Sequence, residues 1–196
     1  MIETKKYILT DETKEHFVVD GTISKGGKIV TLHRIKAVSD IWNWNHTKIL
    51  VHTGEKGGWV QSEENLSQTG SCWIYDNGIV CQKAKIEDCA IVSGNAVVEG
   101  FAEVYGRARV QDFAYVYGCP EIYENAVIKG CATVFDASEI RGCAEISGYA
   151  KVCEYAEISG DALVTKNAQI GGHRRINEGI YEGRPSRKID DGKGGL

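Results

Sequence analysis

Between Ile74 and Ile170 an aliphatic residue returns every six positions, and all seventeen of these positions are Ile or Val. Two residues before each stands Ala in thirteen cases, with Cys72, Gly78, Pro120 and Ser138 at the others. Two residues after each stands Gly in nine cases and Asp in four more. Residues two apart share one face of an extended strand, so the Ala and the Val or Ile of each unit point the same way. β-Branched side chains are stiff at χ1 and suit a pleated surface. Gly and Asp suit a sharp corner where positive φ is needed. A period of six drifts around a helix of 3.6 residues per turn, so the pattern predicts short strands joined by corners. Small Ala fits where the chain bends and the interior is narrow.

An aliphatic residue followed four places later by a small one, as in Val98 to Ala102, Val104 to Ala108 and Val110 to Ala114, resembles the motif of the hexapeptide-repeat family. The resemblance implies an all-β left-handed parallel β-helix of triangular cross-section, with three hexads in each coil. Residues 65–172 number 108, which gives six such coils. At about 4.8 Å per coil the prism is roughly 29 Å long. Residues 1–64 hold no hexads, only β-like runs ("KYIL", "GKIVTLHRIKAV", "KILVHT") broken at Gly26–Gly27 and Gly57–Gly58. They are expected to form a β-rich cap over the open edge of the first coil. Trp42 and Trp44 alternate as strand residues would and are expected to pack that cap onto the coil. Residues 173–196 are polar and glycine-rich, which predicts a cap segment and then a disordered end.

The leader narrows the resemblance. "KKYILTDETKE", "LHRIKAV", "GGWVQSEENLS" and "GSCWIYDN" look like the leader of hexapeptide proteins encoded by bacteriophages and prophages. Those proteins are labelled transferases or polymer-forming proteins.

Folding the repeat at a period of 18 sorts outward residues onto three faces. One column reads Trp73, Ile91, Arg109, Val127, Glu145, Leu163. Its apolar members, Trp73, Ile91, Val127 and Leu163, predict an oligomer interface, and hexapeptide proteins are commonly trimers. A second column contains Tyr115, and the neighbouring turns add Phe113, Tyr117, Phe135 and Tyr149, an aromatic platform for a ring or a further interface. The third column carries Glu103, Glu121, Glu139 and Glu157, an acidic ladder that serves as a soluble face or as a docking stripe for a basic partner.

Charge and composition exclude more than they assign. The chain has a formal charge of -4, and residues 65–172 carry 8 basic and 14 acidic side chains. That balance disfavours duplex nucleic acid on the coil faces, because phosphate binding needs positive charge. Arg174, Arg175, Arg184, Arg187 and Lys188 leave a basic tail. No apolar run approaches the roughly 18 residues of a membrane span. The charged N-terminus lacks the apolar core of a signal peptide, so a cytoplasmic protein is expected, in the bacterial host if phage-encoded. Seven cysteines form no CxxC pair, an odd count that points to reduced thiols. No ligands are grouped at short spacing, so neither a metal nor another cofactor is expected.

Hexapeptide acyltransferases use a histidine on the coils as general base. Residues 65–172 contain no histidine; His16, His33, His46 and His52 precede them, and His173 follows beside Arg174 and Arg175. A thiol nucleophile likewise lacks a coil histidine to activate it. The expectation is therefore a trimeric, non-catalytic binder without catalytic residues, one that blocks a host defence protein or sequesters a signalling nucleotide. The alternatives are a polymer-forming or virion-associated scaffold and a CoA-dependent acyltransferase.

Overall fold

Each hexad folds as a two-residue strand and a corner. The computed structural model describes residues 5–19 and 26–183. Strands such as Val97–Val98, Glu103–Val104 and Arg109–Val110 follow one another around three parallel sheets. Each strand pairs with the one 18 residues on: Val97 with Tyr115, Glu103 with Glu121, Arg109 with Val127. The inward Ala102, Val104, Ala108 and Val110 are fully buried, which forms one continuous core along the axis. This is a parallel β-solenoid, consistent with a left-handed β-helix.

The corners explain the third place of the hexad. Asp112 has φ 62° and Gly118 φ 86°, in the left-handed region. Asp is among the few side-chain-bearing residues that visit this region, and at Asp112 its carboxylate accepts the N–H of Gly130 on the next coil at 2.9 Å. A Cβ at Gly118 would lie 2.8 Å from the backbone nitrogen of Asp136, so glycine there answers to crowding as well as to φ.

The stack is longer than the repeat alone predicts. Trp59 and Val60 pair in parallel with Ile79 and Val80, and Leu66 bridges to Ile86. At the far end Arg175–Ile176 pairs with Glu157–Ile158, and Ile180–Tyr181 with Leu163–Val164. Seven turns result rather than six. The Leu163–Ile180 pairing spans 17 residues instead of 18, which hides this last strand from a strict period. Of the basic tail, Arg184, Arg187 and Lys188 lie outside the described residues.

Five strands precede the regular coils: β1 (Tyr7–Val19), β2 (Gly27–Ala37), β3 (Ile41–Trp42), β4 (Ile49–Val51) and β5 (Lys56–Val60). β1 and β2 pair antiparallel, and β2 pairs antiparallel with β5 at the edge of the stack. The β1–β2 register shifts between Leu9 and Thr13, an irregularity that lets a strand bend. Before the shift, Tyr7 packs in the main core with Ile35 and Ala37 of β2. Beyond it, Val18 packs with Val30 and Leu32 in a second apolar cluster with Trp59, Ile79 and Cys81, on the outer side of the coil. The hairpin thus closes the sheet edge and also lies on one face.

Two expectations are corrected by this hairpin. Trp73, expected at an oligomer interface, is only 1% exposed. Tyr7 meets it edge-on at 6.2 Å, and a Cβ at Gly57 would stand 2.7 Å from its ring, so the chain itself covers it. Trp42 and Trp44 do not pack the cap onto the coil; both are exposed, and Trp42 stacks on His46 at 6.4 Å. No helix among the described residues is long and apolar enough to cross a membrane.

Candidate functional site

Cys81, Glu99, Tyr117 and Phe135 occupy one ladder, each directly after an inward aliphatic residue and 18 residues from the next. The hairpin covers the first two rungs and ends near the others. Glu99 is 3% exposed, unusual for a carboxylate, and its partners account for it. Tyr115 donates its hydroxyl to Glu99 Oε1. His16 Nε2, from β1, lies 3.5 Å from Glu99 Oε2. The Cys81 thiol lies 3.8 Å from the same Oε2. Burial, and then the Glu99 charge, pushes the Cys81 thiol up to about 12, so at neutral pH it is protonated and a poor nucleophile. Burial and the hydrogen bond to Glu99 likewise raise the Tyr115 phenol, which keeps it a donor.

Beside this cluster Trp59 carries cations on its ring. Lys14 Nζ stands 4.5 Å and the Arg34 guanidinium 5.0 Å from the ring centroid. Burial, and then Arg34, lowers the Lys14 ammonium.

Where the hairpin ends, a cavity of about 890 Å³ opens between its tip and the coil. Tyr115, Tyr117, Phe135 and Phe101 form its ring-bearing wall, and Gln61, Gln82, Lys28, Lys83 and Glu99 add polar groups. Tyr115 and Tyr117 lie 4.8 Å apart between centroids, and Tyr117 and Phe135 lie 5.0 Å apart and nearly parallel. Successive rungs set this spacing, since side chains on a ladder repeat with the strands. A second cavity of about 500 Å³ lies beneath Trp42, Trp44 and His46, with Lys6, Asp88 and Cys89 in its wall.

Of the aromatic platform read from the sequence, Tyr115, Tyr117 and Phe135 come together at the cavity. Phe113 and Tyr149 do not line it; both are largely exposed. The acidic ladder stacks as spaced, Glu103 on Glu121, Glu121 on Glu139 and Glu139 on Glu157. Its C-terminal half is already paired: Arg141 lies 3.0 Å from Glu139, and Arg175 lies 2.9 Å from Glu157. Tyr105 donates to Glu121 at 3.4 Å, and Tyr123 donates to Glu139. Ile91, Val127 and Leu163 remain half-buried on the first face. His173 stacks on Tyr155 at 5.0 Å.

His16, Cys81 and Glu99 escaped the sequence reading. Cys81 and Glu99 carried a signal, because a period of 18 puts them on adjacent rungs. His16 carried none, since β1 lies outside the repeat and only the bend of the hairpin brings it there.

The fold defines a parallel β-solenoid with a hairpin laid over one face. No protein-family model matches the chain. Over 77 residues it is 36% identical to the uncharacterized acetyltransferase YdcK of Escherichia coli (strain K12). The match covers 39% of this chain and 20% of the length of that protein.

Proposed function

We propose that the chain is a binding protein that holds a small ring-bearing anion, of the mononucleotide class, between the hairpin tip and the second face. The observation that carries this reading is the cavity of about 890 Å³, whose wall combines four aromatic rings with two lysines. Binding sites for small molecules are concave and largely apolar, with a few polar groups that orient the ligand. Tyr115, Tyr117, Phe135 and Phe101 supply the apolar wall, Gln61 and Gln82 the hydrogen bonds, and Lys28 and Lys83 the positive charge for a phosphate. In the setting implied by the phage-like leader, such a protein sequesters a signalling nucleotide. Self-association into a trimer would use the first face, through Ile91, Val127 and Leu163.

Acyl transfer is a second reading, favoured by the name of the E. coli relative and by His16 beside Glu99. Against it, no histidine is among the residues that line the large cavity, and His16 Nε2 is turned to Glu99. A general base must come within hydrogen-bond reach of the proton it takes.

Calorimetric titration with AMP, GMP and acetyl-CoA separates the two readings. Saturable mononucleotide binding that is lost in Tyr117→Ala supports the binder. Turnover of acetyl-CoA with an amine or alcohol acceptor supports the transferase. Absence of saturable binding by either nucleotide sinks the first reading.

A further inference from the structure

His16, Cys81 and Glu99 pose a problem that the binding cavity does not solve. Glu99 is buried as a carboxylate, yet the approach of His16 makes no hydrogen bond: Nε2 is buried and has no hydrogen-bond partner. A buried polar atom of this kind costs stability unless something satisfies it. The three ligand atoms, one nitrogen, one sulfur and one oxygen, all lie within 4.8 Å of one another.

We propose that His16 Nε2, Cys81 Sγ and Glu99 Oε2 form a site for a divalent cation of the zinc type, which clamps the N-terminal hairpin to the solenoid. Three observations agree on it. The first is spacing. With zinc–ligand distances of about 2.0–2.3 Å, tetrahedral ligands stand about 3.3–3.8 Å apart. Oε2 lies 3.5 Å from Nε2 and 3.8 Å from Sγ, within that range. The second is orientation. Both approaches converge on Oε2, while Oε1 is held by the Tyr115 hydroxyl. Carboxylates that bind metals are held by such outer partners, so Tyr115 acts as a positioning residue. The third is chemistry. Imidazole, thiolate and carboxylate form a donor set that suits zinc, and a thiolate with a carboxylate balances the double positive charge. A buried site of zero net charge avoids the cost of an unpaired ion.

Three protein ligands leave a fourth position for water or an incoming atom. Glu99 and Tyr115 also line the large cavity, so the clamp adjoins the place where the proposed ligand sits. The site does not depend on that ligand. A metal on Nε2 also removes His16 as a proton acceptor, so the clamp and the acyl-transfer role of this nitrogen exclude each other.

The test uses the full chain, stripped by a chelator and titrated with Co²⁺ and then Zn²⁺. The expected result is about one Co²⁺ per chain with a tetrahedral visible spectrum and a thiolate-to-cobalt band, displaced by Zn²⁺. Cys81→Ser removes the thiolate band, and Cys119→Ser, at an exposed thiol, keeps it. Glu99→Gln, which preserves side-chain shape, weakens Zn²⁺ by at least about 100-fold. Zinc raises the melting temperature of the unsubstituted chain and leaves that of Glu99→Gln unchanged. The proposal is overturned by a thiolate band that survives Cys81→Ser. It is equally overturned if the unsubstituted chain takes up no Co²⁺ while its circular dichroism remains that of the β-fold.

Discussion

Glu99 Oε2 lies 3.5 Å from His16 Nε2, although one residue belongs to the regular coils and the other to the hairpin laid over them. This contact marks where two parts of the chain with different sequence logic meet. The coil half is repetitive and self-supporting. The hairpin half has no repeat, and its outer strands are held to the face by one apolar cluster and this polar one.

If that apolar cluster holds the hairpin down, Leu32→Ala should loosen it. Leu32 is fully buried between the hairpin and the coil. Removing a buried leucine side chain costs about 2–5 kcal/mol. Limited proteolysis should then cut within residues 5–37 while the coil stays intact. Uniform loss of the whole fold would show that hairpin and coil unfold as one unit.

Thiol reactivity should divide the cysteines by place. Cys119, Cys131 and Cys143 are exposed, whereas Cys72 and Cys81 are buried. Burial raises both buried thiols, and the thiolate is the reactive form. A disulfide reagent at neutral pH should label the three exposed thiols quickly, with Cys72 and Cys81 silent until denaturant is added. Fast labelling of Cys81 would show that the hairpin opens freely.

Corner geometry predicts an asymmetric pair of substitutions. Gly118→Ala must adopt φ near 86° and also approach Asp136 N to 2.8 Å. The conformational part alone costs about 1–2 kcal/mol. Asp112→Gly keeps the backbone relaxed and loses one side-chain bond to Gly130, about 1 kcal/mol. Chemical denaturation should rank Gly118→Ala as the more destabilised.

The cavity wall predicts which aromatic residues matter for a ligand. Tyr117→Ala and Phe135→Ala should each weaken AMP binding by about tenfold, as ring contacts with a base are worth about 1–3 kcal/mol. Phe113→Ala, at a residue 65% exposed and away from the cavity, should leave affinity unchanged. Equal losses at all three would point to an open aromatic surface rather than the cavity.

The hexads determined the fold from sequence alone, because an inward Ala and Val or Ile every six residues leave a chain of short strands no other regular way to bury them. They also placed Glu103, Glu121, Glu139 and Glu157 on one ladder, and Tyr115, Tyr117 and Phe135 near one another. The sequence did not reveal that Trp73 is covered, that the stack gains a turn beyond the regular hexads, or that His16 meets Glu99. Those facts depend on how a non-repeating hairpin bends near Leu9 and which face it then covers. Periodicity reports only the neighbours that the repeat itself creates. Contacts between the repeat and the segment outside it arise from the path of the chain in space, so the tertiary structure alone decided them.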